Sequence, residues 1–151
     1  MVFYNVDYEY VLINIMLIDN SLINIINGFI KADMFYDAKT RFIYETIVAQ
    51  YDKDGVASLA TIASKLTAFD PTEIAGLTNY IGSSENWEFY ADNIKRMYSA
   101  RKLKVDLLQK AETLNPDCVV DTIHELDSSL TSYMKYDNAK PVEVRDLCGE
   151  L

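Results

Sequence analysis

Residues 84–114, SENWEFYADNIKRMYSARKLKVDLLQKAETL, contain neither glycine nor proline, and Asn115-Pro116 follows at once. Those two residue types are the ones that most disfavour a helix interior, so the stretch predicts one long helix. Trp87, Tyr90, Ala91, Ile94, Met97, Tyr98, Val105 and Leu108 mark one face of it. A second apolar set, Leu103, Leu107 and Leu114, lies on another side. Asn115 as cap and Pro116 at the first helical position start the next helix. Along that helix Val119, Ile123, Leu126, Leu130 and Tyr133 recur at alternating spacings of four and three, the period of a coiled-coil seam. Two long helices and a tight turn make an antiparallel hairpin. A hairpin with apolar residues on more than one side cannot bury them all internally. The remainder must meet the rest of the chain or another molecule.

Upstream, the apolar spacing predicts shorter helices. After an irregular lead-in over residues 1–7, Tyr8 to Ile18 forms the first helix, with Val11, Leu12, Ile15 and Met16 on its buried face. Asp19-Asn20-Ser21 breaks it and caps a second helix that holds Leu22, Ile25, Ile26 and Phe29. Asp37 caps a third, whose stripe is Tyr44, Ile47, Val48 and Tyr51. Gly55 supplies the left-handed residue that ends it. Ser58 starts a fourth helix, with Ile62 and Leu66. Asp70-Pro71-Thr72-Glu73 combines a capping carboxylate, proline at the first position and glutamate three after the cap. The fifth helix it starts carries Ile74, Leu77 and Ile81, and Gly82 closes it. The fold class is all-α: a small globular helical bundle over 1–83, a long antiparallel helical hairpin over 84–136, and a linker over 137–151 whose last ten residues could start a further helix.

Composition narrows the function. Of 151 residues half are hydrophobic, with five glycines and three prolines, enough for a core of its own. The net charge of −9 sets the chain against nucleic-acid phosphates, because affinity there comes mainly from lysine and arginine. The cysteines, Cys118 and Cys148, match no metal spacing, and His124 is the single histidine, so no zinc site is expected. The thiols read as the reduced cysteines of a cytoplasmic protein. Tyr10 to Ile18 is apolar but too short to span a bilayer. No lysine or arginine precedes Lys31, so it does not read as a secretion signal.

Several blocks, in order, resemble the N-terminal domain of DnaB-type replicative DNA helicases. Met16-Leu17-Ile18-Asp19-Asn20 resembles that family's G-x-L-M-L-D-N helix ending. Ala32-Asp33-Met34-Phe35-Tyr36, then Ala38, Arg41 and Phe42 or Ile43, is similar to its x-D-F-Y-x-x-x-H-R-x-I-F signature. Leu59-Ala60-Thr61-Ile62-Ala63-Ser64-Lys65-Leu66 looks like D-L-I-T-L-A-E-x-L, and Asn79-Tyr80-Ile81 sits where the family has x-Y-L. Asn86-Trp87-Glu88-Phe89-Tyr90-Ala91, Ile94 and Arg101-Lys102-Leu103 complete the likeness, which covers about residues 8–136. Each block is mostly a helix-core pattern, and their order and spacing carry the resemblance. Asn14 and Ile15 replace the family's small residues, Lys39-Thr40 stands near its signature histidine, and Gly76 is what remains of a Gly-Gly pair. These departures mark a divergent member.

The resemblance implies a collar domain that precedes a linker helix and a RecA-like ATPase. No G-x-x-x-x-G-K-[ST] phosphate loop is present, so neither ATPase nor unwinding activity, no catalytic residue and no cofactor is expected of this chain. By resemblance its partners are itself, as a homodimer and as a trimer of dimers in a ring, and the C-terminal domain of primase. Candidate subunit or primase contacts are Tyr80, Trp87, Leu103, Leu107, Ile123, Leu126 and Leu130. Two other expectations stay open: the helicase-binding domain at the C-terminus of primase, which shares the bundle-and-hairpin plan, and a stand-alone acidic inhibitor or adaptor of primosome assembly.

Three features have two readings each. Lys95, Arg96, Arg101, Lys102 and Lys104 form the one basic block, facing either an acidic partner or Asp117, Asp121, Glu125 and Asp127 of the next helix. Trp87 and Phe89 cannot both share a face with Tyr90, so one of them is expected at the surface. Tyr80 is either a contact residue or a core tyrosine with a satisfied hydroxyl. His124 reads as solvated. Acid pairs such as Glu85 and Glu88 lack the nucleophile or metal set that acid–base chemistry would serve.

Overall fold

The computed structural model describes residues 2–138, and every regular element among them is helical. The order is α1 (Val6–Ile18), α2 (Ile23–Phe29), α3 (Ala38–Asp54), α4 (Leu59–Ala63), α5 (Pro71–Gly76), α6 (Trp87–Thr113) and α7 (Val119–Asn138). Single 3-10 turns precede α2, α3, α6 and α7, and one follows α5. The linker expected over 137–151 and Cys148 fall almost wholly outside the described residues.

α1 is the centre of the molecule. Val11, Leu12, Ile13, Ile15 and Met16 are all buried, and so are Glu9 and Asn14. A helix apolar all round must be covered all round, and both α3 and α6 pack on it. The expected single stripe is thus a complete sleeve. No single helix among the described residues is long and apolar enough to cross a membrane.

Polar side chains tie the connections to this centre. Asn20 donates to the carbonyls of Met16 (2.9 Å) and Ala57 (2.8 Å) and accepts from the Ala57 N–H (2.9 Å). It thereby fixes the chain that follows Gly55, whose φ of 73° is the left-handed stop of α3. The Asn14 amide donates to the Tyr80 carbonyl and anchors the approach to α6. Residues 2–5 are irregular as expected, but the helix starts at Val6, two residues earlier than the sequence suggests. The Asn5 side chain caps α1 by accepting from the Tyr8 N–H (3.0 Å), and Tyr4 stacks on Tyr36 at 4.0 Å.

α5 starts as its sequence predicts. Asp70 accepts from the Thr72 N–H (2.9 Å) and Glu73 reaches back to the Asp70 N–H (3.1 Å), a reciprocal capping box. The Thr72 backbone amide holds the Asp70 carboxyl below its ordinary range, and the Lys39 ammonium does the same to Glu73. Depressed folded values mean that this support is complete above the unfolded carboxylate range. It is lost as pH falls through the folded pKa. In an acid titration followed by NMR, the Thr72 amide is expected to move only below the usual aspartate range. A Lys39→Ala variant should raise the Glu73 transition while leaving that of Asp70 nearly unchanged.

The end of α5 differs from expectation. The helix stops at Gly76, a 3-10 turn covers Leu77–Asn79, and Ile81 is 83% exposed. Gly82 closes no helix. A Cβ built there would lie 2.4 Å from Val11 Cγ1 and 3.3 Å from Ile15 Cδ1, so glycine lets the chain pass directly over α1. Gly82→Ala should destabilise the fold by about 1–3 kcal/mol through overpacking. Combined with Val11→Ala it should cost less than the two changes summed, a coupling that urea denaturation of the four-member cycle measures.

Candidate protein–protein interface

α6 begins inside the core and leaves it. Trp87, Ala91, Ile94 and Lys95 are buried, whereas no residue of α6 from Arg96 onward is. At 27 residues the helix is about 40 Å long, so its second half extends beyond the bundle. There α7 packs back along it. The turn is built as the sequence predicts, with the Asn115 side chain accepting from the Asp117 N–H (2.9 Å) and Pro116 opening the 3-10 turn before α7.

The seam between the two helices is polar. Thr122 is buried, and Cys118, Leu126, Ser129 and Tyr133 lie half-buried on the same side. The Tyr133 hydroxyl donates to Asp106 (2.7 Å), and Lys110 pairs with Glu125 (3.4 Å). Desolvation and the neighbouring Asp106 carboxylate push the Tyr133 pKa up to about 12, so it stays a donor at neutral pH. The expected seam of Val119, Ile123, Leu126, Leu130 and Tyr133 is therefore only partly the real one. Leu126 and Tyr133 belong to it, while Val119, Ile123 and Leu130 face outward.

The apolar residues are outside. Leu107 is 47% exposed, Ile123 57% and Leu130 43%, and Val105, Leu108 and Met134 are exposed with them. Counted at 100° per residue from the seam, Leu103 and Leu107 of α6 and Ile123 and Leu130 of α7 fall on the same flank of the hairpin. On α6 that flank deepens into a groove of about 460 Å³ lined by Phe3, Ala100, Leu103, Lys104, Leu107 and Leu108.

Of the candidate contact residues, Leu103, Leu107, Ile123, Leu126 and Leu130 thus gather on the hairpin. Trp87 does not. It is 9% exposed and meets Phe29 edge-on at 6.0 Å, so the core holds it. Phe89, exposed beside Tyr8 and Tyr90, is the surface member of that aromatic cluster. Tyr80 is half-buried and stacked on Tyr10 of α1 at 4.6 Å, before the hairpin rather than on it.

The basic block does not form one patch. Lys95 is buried with its ammonium 4.4 Å from the Phe29 ring centre. Arg96 pairs with Asp92 on its own helix (3.0 Å), and Lys104 lies over Phe3. Arg101 donates to the carbonyls of Phe3 (2.7 Å) and Met34 (2.9 Å). Of the four acids expected opposite the block, Glu125 makes an ion pair, and its partner is Lys110. Arg101 shows what two of the sequence blocks do: it joins the Asp33–Tyr36 turn to α6, while Arg41 holds the Phe35 carbonyl (2.8 Å) from α3. Among the described residues no group of three or more His, Cys, Asp or Glu side chains is placed to hold a metal ion.

No curated relative matches the chain. The family model described as DnaB-like helicase N terminal domain matches residues 2–96, nearly two thirds of the sequence. The match spans α1 to α5 and ends within α6, so the outer hairpin is characterised by its own geometry. The matched domain is non-catalytic, and it includes the central sleeve and the turn locked by Arg41. This chain belongs to the DnaB-like helicase N-terminal domain family.

Proposed function

We propose that the chain is the collar module of a replicative DNA helicase, which pairs with a second copy through the hairpin and docks the C-terminal domain of primase. The observation that carries the pairing is the inverted hairpin. The Tyr133 hydroxyl, the ion pair and the Asp106 carboxylate lie between α6 and α7, and Leu107, Ile123 and Leu130 point away from them. Soluble chains rarely leave a contiguous apolar face of this kind uncovered. A like face on a second copy is self-complementary under two-fold symmetry. Three such pairs would make the collar of a hexameric ring working in the cytoplasm.

Primase docking rests on family membership and on the acidic character of the chain, which suits a protein partner better than a polyanion. Light scattering across a concentration series tests self-pairing: the mass should rise toward that of a dimer, and a strict monomer at the highest concentration would remove it. Calorimetric titration with the primase C-terminal domain tests docking separately. Heat with saturation is expected, and its absence would leave an assembly module without that partner.

A further inference from the structure

A second surface differs in chemistry from the hairpin flank. Asp33, Phe35, Tyr36, Arg41, Tyr98 and Arg101 line a cleft of about 280 Å³ where the turn before α3 meets α6, with Lys102 and Val105 at its rim. Three cations therefore meet one wall carboxylate, on a chain whose net charge is −9. The acids nearby are engaged elsewhere: buried Glu9 accepts from the N–H groups of Tyr36 (2.8 Å) and Asp37 (3.2 Å) and from the Thr40 hydroxyl (2.6 Å), Asp37 caps α3, and Asp106 accepts from Tyr133.

Both guanidiniums donate to carbonyl oxygens, which satisfy N–H groups without cancelling charge. The Arg41 Nε is buried with no hydrogen-bond partner. Partial burial lowers the Arg101 pKa, which Glu9 raises and Arg41 lowers in turn; three cations against the two carboxylates of Asp33 and Glu9 still leave a local positive excess. Aromatic faces complete the cleft. The Arg101 guanidinium lies 5.3 Å from the Tyr36 ring centre and 5.9 Å from that of Tyr98, and the Lys102 ammonium lies 5.6 Å from the latter.

We infer that this cleft is a carboxylate-binding site for a protein segment, taking one aspartate or glutamate side chain between the arginines while apolar neighbours rest on Tyr36, Tyr98 and Val105. Planar guanidiniums match carboxylates geometrically and bind them with charge-assisted bonds. A polyanion is disfavoured by the acidity of the rest of the surface, whereas a single acid on an apolar segment is not. The inference goes beyond the collar reading and does not require the hairpin to pair.

The test uses the full chain and three capped tripeptides, acetyl-Leu-X-Leu-amide with aspartate, asparagine or phosphoserine at X, followed by NMR of residues 33–36 and the arginine side chains. The aspartate peptide should give saturable shifts there, at least about fivefold tighter than asparagine. Asp33→Asn, which removes the competing acid, should tighten binding about threefold, and Lys102→Glu should weaken it by a similar factor. Both positions are exposed, so helicity by circular dichroism should not change. Opposite signs from these two variants are what an apolar or merely structural cleft would not produce. Equal binding of the aspartate and asparagine peptides, indifference to both substitutions, preference for phosphoserine, or no saturable shift would each overturn the assignment.

Discussion

Replacing Ile123 and Leu130 together by glutamate is expected to turn an associating chain into a monomer that keeps its helices. Both side chains are about half exposed, and neither lies in the seam that holds α7 to α6. The folded monomer therefore loses little. In a two-fold pair each position would be buried twice, and an apolar side chain taken fully out of water contributes about 1.5–3 kcal/mol. Replacing four such contacts by carboxylates that repel one another should raise the dissociation constant by at least about a hundredfold. Thr131→Glu, an exposed site on another side of the same helix, is the control and should leave association unchanged. Sedimentation velocity of the three proteins at one concentration decides the matter. If the double variant sediments like its parent, the hairpin flank is not the contact surface.

The second large effect concerns Glu9. Glu9 is 2% exposed, and its carboxylate accepts three hydrogen bonds, from the N–H groups of Tyr36 and Asp37 just before α3 and from the Thr40 hydroxyl in its first turn. Glu9→Ala would take this acceptor from the part-buried Tyr36 and Asp37 N–H groups, while the Thr40 hydroxyl keeps the Asp37 carbonyl (2.9 Å), and each donor left unsatisfied costs about 1–3 kcal/mol. A total loss of about 3–5 kcal/mol is expected, enough to lower the Tm by about 10 °C or more for a chain of this size. Glu9→Gln keeps an acceptor oxygen but replaces the other with an N–H donor, so it should fall between alanine and wild type. Urea denaturation followed by circular dichroism measures both. A loss below about 1 kcal/mol for alanine would show that water or a rearranged turn replaces the carboxylate.

Much of this fold could be read before any coordinates. Asn115-Pro116, the Asp70 capping box, the Asp37 cap and Gly55 are local signals, and each acts within a few residues of itself. Readings failed where a distant residue decides. Gly82 looks like a helix stop, but its absent side chain is required by Val11 on α1. Trp87 looks like an anchor for a partner, but Phe29 takes it. Lys95 reads as surface charge, yet an aromatic face lets its stem and ammonium lie inside. In α7, apolar positions at coiled-coil spacing point to an apolar seam, whereas Thr122 and Ser129 turn inward and Ile123 and Leu130 outward. Periodicity locates a stripe without saying which neighbour covers it. Of the candidate contact residues, Leu107, Ile123 and Leu130 are exposed, whereas Trp87 is buried.

An arm braced by one tyrosine–aspartate bond and one lysine–glutamate pair is a weak lever while water can reach both. Covering its greasy side would dry the surroundings of those bonds and strengthen them. Stiffness would then be acquired on assembly instead of being carried by the lone molecule, and mechanical strain could pass along the arm only in company.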